Sequence, residues 1–205
     1  MKKPLLLGAL ISSVAMANVV EVRVGADLAN NGKFKGGFSD GYELSKNSIK
    51  KGFELAAEYR VPVGASGNWE IGGGLSYKYN KLNENVVEKS GLHAVPVYFT
   101  TRYNFRNSSE VTPYIKANLG YSFNSGKLRD VFGVYDFEAK FKGGLYSGLG
   151  IGLQYQNFVA DLSYNVNGAR VNRTVTNKSS GYYAHDKFTL DHGVLTLSAG
   201  YSFGF

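Results

Sequence analysis

The sequence has no cysteine, four prolines and one tryptophan among its 205 residues, and only 19% of those residues are charged. Without cysteine there is no disulfide framework, no thiolate metal site and no cysteine nucleophile. At 43% hydrophobic residues and so little charge, the chain is too apolar to stay disordered. Beyond its first residues it lacks any run long enough for a transmembrane helix, and its mean hydropathy is −0.20, which excludes a helical membrane protein. The three histidines are scattered, a poor basis for a metal site. A phosphate-cradling glycine loop is also missing, because Gly72, Gly73 and Gly74 sit inside a strand pattern with no helix behind it. No cofactor is expected.

Glycine, tyrosine and phenylalanine are abundant instead, at 26, 15 and 13 residues. Aromatic side chains suit a pleated surface better than a helix. A chain rich in them yet mildly hydrophilic on average fits a single β-domain that is apolar on one face and polar on the other.

The first residues read as an export signal. Lys2 and Lys3 are followed by an apolar run over residues 5–15, and Ala15 and Ala17 flank a small-residue cleavage site. About 11 apolar residues are too few to cross a bilayer, which needs about 20. The expected division is a signal peptide over residues 1–17 and a mature domain over residues 18–205, with a formal charge of +7 for the whole chain. Export of a chain without cysteine points to a bacterial periplasm or outer membrane.

Strict apolar/polar alternation, the mark of a strand with two unlike faces, recurs eight times. Val20, Val22 and Val24 oppose Glu21 and Arg23; Phe53, Leu55, Ala57 and Tyr59 oppose Glu54, Glu58 and Arg60; Trp69, Ile71 and Tyr77 oppose Glu70 and Lys78. Val97, Phe99 and Tyr103 oppose Arg102, Ile115 and Leu119 oppose Lys116, and Phe158 and Leu162 oppose Asp161. A Leu/Ile face alternates with glycines over residues 144–155, and Leu195, Leu197, Tyr201, Phe203 and Phe205 close the chain. The apolar faces carry no charge, as hydrocarbon demands, since Lys or Arg there costs roughly 2–4 kcal/mol at the bilayer midplane. Their opposite faces hold nearly balanced acids and bases. Connections alternate between long, at residues 29–52, 80–92, 124–143 and 168–190, and short turns, the pattern of a transmembrane barrel with outer loops and periplasmic turns. The expected fold is all-β: an eight-stranded antiparallel up-and-down transmembrane β-barrel, monomeric, in the outer membrane of a Gram-negative cell. Pro62 and Pro96 cannot donate to a ladder, so each should mark a bulge or a missing hydrogen bond.

The last residues carry the most specific motif. Ser198, Gly200, Phe203 and Phe205 form a polar–glycine–aromatic pattern ending on an aromatic residue, which resembles the C-terminal signal read by the barrel-assembly machinery. Strands that close on aromatics, ending at Phe105 and Phe123, add to this. Residues 19–205 thus resemble the small outer-membrane β-barrel family that includes the OmpA transmembrane domain and the OmpX and OmpW types. The resemblance implies a shared scaffold and says little about activity.

Two small barrel families acylate or deacylate lipid A, so the histidines need weighing. His93 is followed by Ala94 and Val95, and His192 by Gly193 and Val194, so neither shows the His-x-Ser pairing of the deacylase; His185 lies in the last long connection. No enzyme is expected. The inward charges Glu21, Arg23, Glu54, Glu58, Arg60, Glu70, Lys78, Arg102, Lys116 and Asp161 should fill a narrow lumen as a paired network, with a small-solute or ion path as the alternative. Loop cations Lys33, Lys35, Arg170, Arg173 and Lys178 suit anionic partners: lipopolysaccharide phosphates, or acidic polymers on a host surface. Outer-membrane lipid is the remaining partner, and nucleic acid is not one. The expected role is structural or adhesive.

Overall fold

A computed structural model of the chain closes the alternating segments into a ring of long antiparallel strands. It describes residues 18–35, 43–44, 51–81, 91–125, 127–132, 135–177, 179–181 and 183–205; the expected signal peptide lies outside these. In chain order the strands are β1 (Val19–Lys35), β2 (Glu43–Leu44), β3 (Phe53–Val63), β4 (Trp69–Lys81), β5 (Gly91–Asn104), β6 (Val111–Ser125), β7 (Lys127–Phe132), β8 (Tyr135–Lys142), β9 (Gly144–Tyr155), β10 (Phe158–Asn177) and β11 (Tyr183–Gly204). The ring runs β1–β3–β4–β5–β6–β9–β10–β11 and returns to β1. Eight strands therefore close the barrel, while β2 adds a short ribbon to β1 and β7 and β8 form a hairpin beyond the ring.

Closure sorts the residues by parity. Val22, Val24, Leu55, Leu75, Phe99, Leu119, Leu149 and Leu197 face outward, and Glu21, Arg23, Glu58, Arg60, Arg102 and Asp161 are buried inside. One irregularity resets this phase: the β1–β11 register shifts between Asp27 and Ala29, so Leu28 is the extra residue of a β-bulge. Beyond the bulge, Lys33 and Lys35 are exposed and Gly32 is buried.

The prolines differ from each other. At Pro96 the β4–β5 pairing lapses between Leu75/Val97 and Lys78/Ala94 and resumes in unchanged register, so the ladder loses bonds without a bulge. Pro62 pairs with Glu70 on β4 but lies beyond the last β1 partner, Arg60, where its missing donor deprives no neighbour. The hairpin between β3 and β4 turns on Gly64 and Gly67, at φ of 77° and 60°, conformations that glycine adopts without strain.

The long connections are more ordered than the sequence suggests. Residues 124–143 and 168–190 read as loops, yet β6 runs on to Ser125 and is followed by β7, β8 leads into β9, and β10 and β11 stay paired from Phe158/Tyr201 up to Thr176/Tyr183. Where β9 ends, β8 takes its place beside β10 and pairs from Arg170/Lys142 to Asn177/Tyr135. Burial explains the extension: Ala169, Val171 and Leu190 form a small apolar core with Phe141 and Phe188 against it.

Interior glycines make room for large inward side chains. A β-carbon on Gly74 would meet the Tyr98 ring at 2.7 Å and the Glu58 side chain at 2.8 Å, whereas one on Gly73, which faces outward, would meet only a carbonyl oxygen at 3.7 Å. Gly74→Val should therefore lower the unfolding free energy in detergent by about 1–3 kcal/mol, the scale of overpacking, while Gly73→Val should stay near wild type. Urea titration followed by the gel shift between folded and unfolded barrels measures both.

Candidate functional site

Two arrangements of polar side chains stand out, one inside the ring and one above it. Inside, alternate residues of neighbouring strands converge on the axis. Arg23 contacts Glu21 at 2.6 Å and Asp161 at 3.4 Å and forks onto Glu58. Arg60 reaches Glu21 at 2.6 Å, Glu58 at 2.5 Å and Glu70 at 2.8 Å. Arg102 joins Glu21 at 3.1 Å, Asn104 at 2.7 Å and Gln154 at 2.5 Å, and lies 3.6 Å over the Tyr114 ring. Lys116 pairs with Asp161 at 2.7 Å, and Lys78 with Glu54 at 2.6 Å. All ten lumen residues singled out in the sequence are thus buried and ion-paired.

Neutral groups complete the plug. Tyr98 donates to Glu58 at 3.0 Å, Ser198 to Asp161 at 2.9 Å and Asn104 to Glu70 at 2.7 Å. Asp27 accepts from Asn80 at 2.6 Å and from Thr196 at 3.1 Å. Alternation marks Asp27, Tyr98 and Tyr114 as inward, but partner choice depends on the barrel's stagger, which no local pattern reveals. The space left around Arg23, Glu54 and Lys116 is a cavity of about 10 Å³, room for roughly one water. A second, of about 30 Å³, lies beneath the apolar cluster between Lys78, Asn167 and His192.

The three histidines sit in different surroundings. His93 Nδ1 lies 2.7 Å from the Tyr77 hydroxyl, and His192 is buried opposite Asn167 in the β10–β11 register. His185 is exposed. Among the described residues, neither a histidine–serine hydrogen bond nor a cluster of three metal-ligating side chains occurs.

Above the ring, the extension of β8, β10, β11 and β1 has two unlike faces. Its inner face carries the apolar cluster and Arg173, which pairs with Asp186 at 3.2 Å and so is half-buried, not an outer-surface cation. On the outer face Arg170, Lys140, Lys142 and Lys187 are exposed, as are Lys33 and Lys35. The register aligns Lys142, Arg170, Thr189 and Lys35 in one row, and Lys140, Asn172 and Lys187 in the next. Asp191, 2.5 Å from Lys35, and Glu138, 3.1 Å from Lys140, share this face. Hydrogen bonding to Asp191, with its charge, holds the Lys35 ammonium above the usual lysine range. Lys178 lies outside the described residues. Sequence reading did not single out Lys140, Lys142 and Lys187, because only the pairing of β8, β10 and β11 shows which cations of the long connections share a face with Arg170.

At the chain's end, Phe203 and Phe205 face outward, Ser198 is buried on Asp161, and a β-carbon on Gly200 would strike the β1 backbone and the Arg23 side chain.

A family model for the outer membrane protein beta-barrel domain matches residues 4–203. An uncharacterized protein of Pasteurella multocida (strain Pm70) is 23% identical over 193 residues, 78% of each chain. Among solved structures the chain is similar to Ail, the attachment invasion locus protein of Yersinia pestis, in complex with the heparin analogue sucrose octasulfate: TM-score 0.53, 22% identity, covering 92% of this chain and 99% of that one. It is also similar to the outer membrane protein OprG of Pseudomonas aeruginosa, at TM-score 0.52 and 12% identity, covering 92% and 96%. At these identities the structural likeness concerns the fold.

Removing one member of the lumen network leaves its partners charged and buried, which costs about 3–5 kcal/mol. Arg60→Ala, which takes one cation away from Glu21, Glu58 and Glu70, should destabilise the barrel on that scale. Lys187→Ala on the exposed face should shift stability by no more than about 0.5 kcal/mol. Denaturant unfolding of both variants in lipid vesicles checks the contrast, and equal effects would refute the network's structural role.

Proposed function

The chain belongs to the outer membrane protein beta-barrel family and resides in the outer membrane of a Gram-negative cell, and from that premise we propose that it is a non-conducting barrel that holds an ordered basic surface out to anionic partners. The observation that carries this reading is the partition of charge. Lumen acids and bases neutralise one another at hydrogen-bond distance. On the outer extension, by contrast, no carboxylate among the described residues lies within ion-pair distance of Arg170, Lys142 or Lys187.

Several features support the assignment. The lumen is filled by side chains, with single-water space at its centre, which disfavours a solute path. Among the described residues no serine or carboxylate is hydrogen-bonded to a histidine, which disfavours lipid A acylation or deacylation, since acyl transfer needs a nucleophile within reach of an oriented base. A monomer fits a ring whose strand edges are all paired. Residues 1–17 are proposed as the export signal, and Ser198, Gly200, Phe203 and Phe205 as the segment that the assembly machinery reads, with both aromatics outward and accessible.

Ail was crystallised with a sulfated sugar, so a sulfated polysaccharide is a suitable first soluble probe. The refolded barrel in zwitterionic detergent should be retained on that immobilised polymer and elute on a salt gradient, because exposed charge attraction is screened by salt. Combined replacement of Arg170, Lys142 and Lys187 by Ser should move elution to the start of the gradient; unchanged retention would overturn the reading. In planar bilayers the wild type should give no conductance steps above the lipid baseline, and regular steps would favour a pore.

A further inference from the structure

The direction of the outer cations narrows the kind of anion they meet. Outer faces of β10 and β11 continue the lipid-facing stripes below them, since side-chain parity does not change along an unbroken ladder; on β1 the bulge at Leu28 moves the outward series from even to odd positions, which keeps Lys33 and Lys35 opposite the outward residues of β11. On β10 the outward series runs Phe158, Ala160, Leu162, Tyr164 and Val166 and then passes through Gly168 to Arg170. Arg170 stands twelve residues above Phe158, about 41 Å of strand at ~3.4 Å per residue. Tilted by roughly 40°, that is about 31 Å of height, against an apolar band about 25 Å tall. Its guanidinium side therefore emerges a few ångströms above the hydrocarbon and points sideways, into the headgroup layer, away from the bulk water over the barrel mouth.

The same holds for its neighbours. Lys142 on β8 and Thr189 on β11 are the direct cross-strand partners of Arg170, and Lys35 on β1 is the partner of Thr189. Lys187 stands two residues further up the outward series of β11, level with Asn172 and Lys140. The extension is thus an amphipathic sheet turned in an unusual sense. Its apolar residues Ala169, Val171 and Leu190 face the barrel axis, and its cations face the membrane's outer leaflet. A soluble polymer approaching from above would meet strand ends and turns before it met this face.

We infer that the outer face of β8, β10, β11 and β1 is a binding surface for the phosphates of an outer-leaflet glycolipid, the lipid A part of lipopolysaccharide, with Arg170, Lys142 and Lys187 as the principal contacts. The inference rests on the proposed role as a surface for anionic partners and names which anion the geometry favours. Arginine offers a planar fork for phosphate oxygens and lysine a point charge. Each cation near an anionic headgroup layer adds attraction on the scale that polybasic segments show at membranes. Asp191 and Glu138 offset part of this charge through Lys35 and Lys140, so Arg170, Lys142 and Lys187 are the residues to change.

The test uses the refolded barrel in zwitterionic detergent, incubated with diphosphorylated lipid A, with the same lipid stripped of its phosphates, or with inorganic phosphate. Native mass spectrometry then counts bound molecules. Adducts of the diphosphorylated lipid should exceed those of the dephosphorylated lipid by about tenfold or more, the scale set by several cation–headgroup contacts. The triple variant Arg170→Ser, Lys142→Ser and Lys187→Ser should lose that preference. Arg106→Ser, in the turn between β5 and β6 at the opposite rim, should keep it. All three replaced residues are exposed, and the folded–unfolded gel shift verifies that the triple variant forms the barrel. Equal binding of the two lipids, an unchanged triple variant, or full displacement by millimolar inorganic phosphate would each overturn the inference. If the triple variant loses polysaccharide retention but keeps lipid A, the lipid inference fails and the surface role stands. If neither ligand distinguishes the variant from the wild type, both fail.

Discussion

Backbone hydrogen bonding in hydrocarbon governs this molecule. No water is available there to satisfy an unpaired N–H or C=O, so a β-protein can span the membrane only as a closed ring. Here closure is made by β11, which pairs with β1 on one side and β10 on the other. Eight strands give a ring so narrow that its interior must be packed with side chains, and the remaining features follow from that confinement. Gly74 pairs with Tyr98, Gly152 with Tyr114 and Gly200 with Arg23 on the neighbouring strand, and a β-carbon at any of the three would collide with that large side chain. A polar interior also requires its charges to find partners at close range, since an isolated buried charge costs several kcal/mol.

Much of this was legible in the sequence, and the reason is physical. The two faces of each strand meet different surroundings, lipid on one side and a packed polar lumen on the other, so selection for each leaves a period of two. Glu21 beside Val22, or Arg60 beside Tyr59, could be sorted without coordinates. What could not be read was pairing. Arg23 and Glu58 lie 35 positions apart and Arg102 and Glu21 lie 81 apart; they meet because of the barrel's stagger, a property of the closed ring and not of any strand.

The upper halves of β10 and β11 were illegible for another reason. Below the outer rim, the outward residues are apolar and the inward ones polar. Above it the outward face enters the polar headgroup and solvent layers while the inward face packs against Phe141 and Phe188, so the polarity of the alternation inverts. Around the crossover, polar and small residues such as Asn165, Asn167 and Gly168 occupy both faces, and the signal fades. Arg173 shows the consequence. It reads as a solvated loop cation, yet it lies on the inner face, paired with Asp186 and 5.7 Å from the Phe188 ring centroid.

This inversion also separates two uses of the same side chains. Within the ring, arginine is a structural cross-link whose charge is spent on neighbouring carboxylates, and its burial makes it unavailable to any partner. On the extension, Arg170 meets no carboxylate among the described residues, while Asp191 engages Lys35 and Glu138 engages Lys140. A protein that needed these cations only for solubility could scatter them over the loops. Aligning them in cross-strand rows on a rigid, hydrogen-bonded sheet fixes their spacing instead, as recognition of a repeated anionic group requires. The ordered extension is what turns a general excess of positive charge into a surface with a defined height and direction.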